Sequence, residues 1–412
     1  MSRSLILLAL LASSVRAENW PGWRGPRGDG TSIEKNIPTD WSPTKNVKWK
    51  LKLPSPGNSS PVVWGDRIFL TQSIDKAGTE RALLCIDRKT SKILWQKSIP
   101  FKEKEPTHAT NPYCAATPVT DGERVIASHG SAGLVCYDFQ GNQLWHRDLG
   151  MFIHIWGTAS SPILYGDLVI LNCGPGERTS LRAFDKKTGN DAWEVPEPGG
   201  KAGTSQTDWI GSWSTPHIVK VDGKDQLLMS WPNVLKAHDP KSGDVLWSCK
   251  GLTKLVYTSP VTDGKHVVAM SGYSGAAIGM KLGGSGDLTE SNRLWQHSKA
   301  NPQRIGTGII VGDHLYMANA GANTIQCLEV KTGKDLWEKQ RLGVACWGSL
   351  VLADGKLYTT DQNGDTFVLE AKPKFELVAR NKLGEHCNAS PAISDGDIFI
   401  RTYQHLWCIR AK

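Results

Sequence analysis

SPVVWGDRIFL, Ser60–Leu70, reads as a small residue and a proline, a short apolar run, a Gly-Asp turn and a second apolar run. The pattern returns as TPVTDGERVIA from Thr117, SPILYGDLVIL from Ser161, TPHIVKVDGKDQLL from Thr215 and SPVTDGKHVVA from Ser259. It continues as GTGIIVGDHLY from Gly306, GSLVLADGKLY from Gly348 and SPAISDGDIFI from Ser390. Short strands joined by turn signals and repeated every 40 to 57 residues are the mark of a β-propeller.

A third strand follows each hairpin and ends in an acidic residue, with a tryptophan seven or eight positions later: Asp87 and Trp95, Asp138 and Trp145, Asp185 and Trp193, Asp239 and Trp247, Glu329 and Trp337. Between them lie turn formers such as Thr188-Gly189, Ser242-Gly243 and Thr332-Gly333, where glycine supplies a positive φ. The fifth copy carries a Gly-rich insertion, GGSGDLTESN from Gly283, before Trp295, and the seventh replaces the tryptophan with an apolar residue near Val378. The eighth stops at Lys412 after its third strand, and NVKWKLKL, Asn46–Leu53, has the form of the missing fourth. The predicted fold is all-β: an eight-bladed propeller of four-stranded antiparallel blades, closed by the N-terminal strand completing the last blade.

Residues 1–17 read as a signal peptide, with Arg3, an apolar run from Leu5 to Ala12 and a cut after Ala17; a periplasmic or secreted protein is expected. Residues 18–45 form an N-terminal arm in which Trp20, Trp23 and Trp41 pack against the disk and Arg24 and Asp29 fix a turn; the propeller occupies 46–412. No cysteine follows the cut, so a lipid anchor is not indicated, and no other stretch is apolar enough for a transmembrane segment. Loss of Arg3 and Arg16 takes the formal charge from +8 to +6, with basic residues scattered through the turns, which gives no footprint for nucleic acid.

The nine cysteines would suggest disulfides in an exported chain, yet Cys85, Cys136, Cys327 and Cys408 share a repeat position with Ala183 and Ala237. A site taking either residue wants a small buried side chain. Cys114, Cys346 and Cys387 share another position, before the first strand, where thiols could line a pocket.

Seven of the seventeen tryptophans, Trp49, Trp95, Trp145, Trp193, Trp247, Trp295 and Trp337, occupy the outer-strand position and are expected to dock blade on blade. The residues just before each first strand should converge at the mouth of the central channel: Asn58, Tyr113, Cys114, Trp156, Trp213, Tyr257, Arg304, Trp347, His386 and Asn388. The long connections Pro100 to Cys114 and Pro196 to Gly211 add His108 and Trp209. Aromatics with a few polar groups suit a concave binding site. No nucleophile elbow, phosphate-cradling loop, calcium loop or closely spaced histidine pair occurs; no catalytic or metal residue is assigned. The first-hairpin carboxylates, Asp66, Asp121, Asp167, Asp222, Asp263, Asp313, Asp354 and Asp395, belong to turns.

AFDKKTGNDAW from Ala183 and AHDPKSGDVLW from Ala237 resemble the repeat of the pyrroloquinoline-quinone-like β-propeller family, A-x-D-x-x-T-G-x-x-x-W, and the resemblance runs from about Trp20 to Lys412. The opening WPGWRGPRGDGTS is similar to exported members common in planctomycete-type bacteria. The resemblance implies one of two roles. Quinone-dependent dehydrogenases of this architecture hold pyrroloquinoline quinone at the axis with an adjacent cysteine pair, calcium and a catalytic Asp; this sequence has no adjacent cysteine pair, and no cofactor is assigned. The barrel-assembly scaffold is a non-enzymatic propeller that presents loops to partners. The expected function is an exported, non-catalytic binding or scaffold module, a monomer or part of a periplasmic assembly, that presents one loop-rich face to a protein or other ligand. The alternatives are a quinone-dependent oxidoreductase and a carbohydrate-binding or carbohydrate-cleaving propeller, the last resting on Trp156, Trp209, Trp213 and Trp347.

Overall fold

In the computed structural model, residues 18–200, 209–272, 275–298, 305–321, 323–338 and 340–411 are described; the predicted signal peptide and Arg304 lie outside them. Eight antiparallel sheets surround one axis, as the repeat requires. Blade 1 is built from Val62–Trp64, Arg67–Ser73, Glu80–Asp87 and Ile93–Pro100, and blades 2 to 7 repeat this order along the chain. Blade 8 takes Ala392–Ser394, Asp397–Arg401 and His405–Ile409 from the C-terminus and Val47–Lys52 from the N-terminus. Trp49 lies opposite Cys408 and Lys50 opposite Trp407, so the predicted closure is present. Asp397, fully buried, joins this seam to blade 1 by pairing with Arg88 at 3.1 Å and with Arg410.

Hydrophobic residues gather between neighbouring blades rather than within each. Val62, Phe69 and Leu83 of blade 1 pack with Val125, Val135 and Tyr137 of blade 2, and Val261, Val268 and Met270 of blade 5 with Leu315, Met317 and Leu328 of blade 6. A single blade cannot bury its faces, so the stack and not the sheet is the stable unit.

The outer tryptophans make these interfaces specific. Trp95 lies opposite Cys85, Trp145 opposite Cys136, Trp193 opposite Ala183, Trp295 opposite Gly279 and Trp49 opposite Cys408. The cysteine position is therefore small because an indole covers it; a Cβ on Gly279 would sit 2.2 Å from Trp295. The indole N–H then crosses to the next blade: Trp49 donates to the Arg88 carbonyl at 2.8 Å, Trp95 to Phe139 at 3.0 Å, Trp145 to Lys186 at 3.1 Å, Trp193 to Pro240 at 3.3 Å and Trp295 to Val330 at 2.8 Å. Each ring of the set Trp95, Trp145, Trp193 and Trp295 lies on the turn glycine of the following blade, Gly141, Gly189, Gly243 or Gly333, all at positive φ.

Three blades vary this plan. Trp247 is fully buried and donates to Gln226 Oε1 of its own blade at 2.8 Å, because the insertion predicted in the fifth copy adds a fifth strand, Gly286–Asp287, parallel to Trp247–Ser248 at the edge of blade 4. Trp337 meets Phe375 of blade 7 edge-on at 5.6 Å. In blade 7 the tryptophan position, opposite Val368, is held by Ala379, an apolar residue next to Val378 as the sequence suggested; Val378, exposed, is the extra residue of the β-bulge, as Leu94 is in blade 1.

Candidate functional site

Two positions before the first strand of each blade stands a hydroxyl residue, and these eight form a closed belt around the axis. The backbone N–H of Ser60 donates to Thr117 Oγ1, Thr117 to Ser161, Ser161 to Thr215, Thr215 to Ser259, Ser259 to Thr307, Thr307 to Ser349, Ser349 to Ser390 and Ser390 back to Ser60, at 2.8 to 3.0 Å. The belt sets the radius of the channel and satisfies eight buried amides that no strand could reach.

Above the belt, all eight lead-in segments border one cavity of about 150 Å³, with Asn58, Ala115, Trp156, Trp213, Tyr257, Ile305, Trp347 and Asn388. Asn58, Trp156, Trp213, Tyr257, Trp347 and Asn388 were expected at the mouth, and all six border the cavity. Below the belt, the arm runs along the hairpin ends of the first strands. Trp20 exchanges backbone hydrogen bonds with Val63, Pro21 accepts from Thr120, and Gly30 and Ser32 pair with Leu352. Arg24 is buried under it, donating to the carbonyls of Thr307, Gly308 and Leu350 at 3.3, 2.7 and 3.3 Å, and burial lowers its pKa to about 10. Trp20 and Trp41 are buried as expected, whereas Trp23 is half-exposed and borders the cavity, so the arm lies across the hairpin end of the channel. Nothing in the repeat pattern marks Trp23 for this position.

The remaining expected residues that are described stand outside this wall. Tyr113 stacks on Arg81 at 4.5 Å, and its hydroxyl donates to the Glu105 carbonyl at 2.7 Å. Arg81 and Glu105 form a buried ion pair at 2.5 Å, in which burial pushes the carboxyl up against the pull of the guanidinium. That pair anchors the connection from Pro100 to Cys114, whose tip folds over the mouth as a strap: the Thr110 carbonyl accepts from Asn58 Nδ2 at 3.0 Å and Asn388 Nδ2 at 3.2 Å, and Asn111 Nδ2 donates to the Trp156 carbonyl at 2.7 Å. Thr110 and Asn111, both at the cavity wall, were missed because a loop of polar residues carries no periodic signal. His108, on the strap, is exposed and lies 4.3 Å from Trp156; Trp209 meets Trp156 edge-on at 5.8 Å. His386 stacks on Tyr403 at 4.3 Å. Arg304 lies outside the described residues.

Trp213 is the most buried aromatic of the wall, 7% exposed, with its N–H donating to the Gly157 carbonyl at 2.8 Å. Trp156 and Trp347 are more open. Two buried wall atoms lack a partner among the described residues, the donor Trp156 Nε1 and the acceptor Asn58 Oδ1.

All nine cysteines are buried free thiols, and Cys114, Cys346 and Cys387 do not border the cavity. Burial pushes each of these three up to about 12, away from thiolate chemistry. Pyrroloquinoline quinone, the cofactor the repeat resemblance raised, is a polycarboxylate. The described wall offers no lysine or arginine to its charges and no adjacent cysteine pair, and no group of three or more His, Cys, Asp or Glu among the described residues gathers as a metal site. These residues do not fit that cofactor.

Three solved structures share the architecture at low identity. The chain is similar to BamB from Moraxella catarrhalis at 13% identity and TM-score 0.61, covering 88% of this chain and 99% of that one. A europium-containing methanol dehydrogenase matches at 12% and 0.67, covering 94% and 90%, and the computationally designed Ika8 protein at 12% and 0.59, covering 92% and 99%. An assembly factor, a dehydrogenase and a designed protein on one fold show that the fold leaves the activity open. No curated protein matches the sequence. A family model does, over residues 80–339, more than half of the chain. The chain belongs to the PQQ-like propeller-repeat family described as "Outer membrane protein assembly factor BamB".

Proposed function

We propose that this chain is an exported, non-catalytic propeller scaffold that receives a ligand, or a group projecting from a partner, in the aromatic mouth of its channel. One observation carries the reading: eight separate lead-in segments border a single cavity, six of them with an aromatic or amide side chain, and the arm backs it from the other side. A concave, largely apolar wall with a few fixed polar groups is the usual form of a binding site. The family's description favours a partner that is itself exported, in keeping with the leader expected at residues 1–17.

The test compares the whole mature protein with Trp156→Ala and Trp347→Ala, whose side chains are only half-buried, in crosslinking to partners in extracts of its native compartment. Both variants should retain the melting transition to within a few degrees and lose capture. Capture unchanged in both would remove the mouth as the binding site.

A further inference from the structure

We infer that the cavity is a subsite for one neutral, polyhydroxylated ring, a pyranose residue of a glycan or glycoside. The inference rests on the mouth being the binding site and names what enters it.

Size comes first. A cavity of 150 Å³ accommodates about one six-membered ring. Charge comes second. Among the described residues the wall is Trp, Tyr, Asn, Ser, Thr, Ala and Ile, with no ionisable acid or base to pair an anion or cation, so a charged ligand would lose its hydration for nothing.

The polar complement decides between the neutral candidates. Each belt hydroxyl accepts one amide and donates to none of the described residues, so its O–H stays in hand. Ser60, Thr117, Ser161, Thr215, Ser349 and Ser390 bring such hydroxyls to the cavity. Asn58, Asn111 and Asn388 add side-chain amides at the wall. An aromatic or aliphatic side chain from a partner protein would answer at most one of these groups and leave the rest unsatisfied. A pyranose presents several hydroxyls, each donor and acceptor, around a ring whose C–H faces suit the flat faces of Trp347, Trp156 and Tyr257.

The experiment titrates the whole mature protein with the methyl glycosides of glucose, galactose, mannose and N-acetylglucosamine, read by tryptophan fluorescence and by saturation-transfer NMR on the sugar. At least one should bind saturably, with affinity falling tenfold or more in Trp347→Ala and in Asn58→Ala. A deoxy analogue lacking a bonded hydroxyl should bind more weakly, and glucuronate more weakly than glucose. p-Cresol binding more tightly than every glycoside would assign the cavity to an aromatic side chain and overturn the inference. Tighter binding of glucuronate would overturn the neutral class. If no glycoside binds while partner capture still depends on Trp156 and Trp347, the sugar inference fails and the mouth stands; if capture is also independent of them, both fail.

Discussion

The backbone N–H of Ser390 donates to the Oγ of Ser60 at 3.0 Å, joining residues 330 positions apart in the chain and closing the belt of eight such bonds. The Oγ of Ser60 is the acceptor, so Ser60→Ala leaves a buried amide unanswered. The expected cost is about 1–3 kcal/mol. A urea titration that shows the midpoint unmoved in Ser60→Ala and in Thr215→Val would mean the belt contributes nothing.

Asp397 holds the seam where the two ends of the chain meet, between Arg88 and Arg410. Removing one partner of a buried ion pair strands the others, so Asp397→Asn should cost about 3–5 kcal/mol. A chain beginning at Leu53 loses the strand of Trp49 and should melt far lower or aggregate. Equal thermal stability of either variant would show that the seam does not limit unfolding.

Gly189 and Gly166 both have positive φ, at 75° and 57°, but only Gly189 lies under a tryptophan. Alanine at Gly166 meets nothing within 4 Å and suffers the backbone strain alone, about 1–2 kcal/mol. Alanine at Gly189 places its Cβ 2.7 Å from the Trp145 ring and should cost clearly more. Parallel thermal melts of the two variants measure the difference, and equal losses would remove the indole from the blade contact.

Three buried histidines, His129, His154 and His238, are held neutral by burial, with pKa values lowered from 6.5 to about 3, 4 and 4. The unfolded chain therefore takes up these protons first as the pH falls. Their contribution to stability is full above about pH 6.5, declines below it and is exhausted once the pH has passed the folded values, near 4 for His154 and His238 and near 3 for His129. His238→Gln should make the slope of the melting temperature between pH 6.5 and 4 shallower; an unchanged slope would place the acid sensitivity elsewhere.

Blade number, closure and the docking tryptophans were legible in the sequence because each depends on a pattern repeated within one copy. What the pattern does was less so. The Thr-Gly turn looks like a hairpin requirement at Gly189, yet that glycine also receives Trp145 from the preceding blade, a contact between copies that spacing along the chain does not display. At the mouth, Asn58, Trp156, Trp213, Tyr257, Trp347 and Asn388 were found by their place before a first strand, and all line the cavity. Tyr113 and His386 occupy the same kind of place but turn to local partners, Arg81 and Tyr403, that sequence position alone does not reveal. Trp23 and Asn111 lie on segments that do not repeat, so no comparison between copies could single them out.

The arm is the first described part of the chain to be synthesised and among the last able to dock. Its partners include Leu352, Asn381 and Asp395, more than 300 residues downstream, and they stand in line only after blade has been laid on blade around the axis. As the chain is made from its N-terminus the arm must therefore wait, unseated, until the C-terminal strands arrive, and its settling across the channel becomes a signature that the whole circle has been assembled.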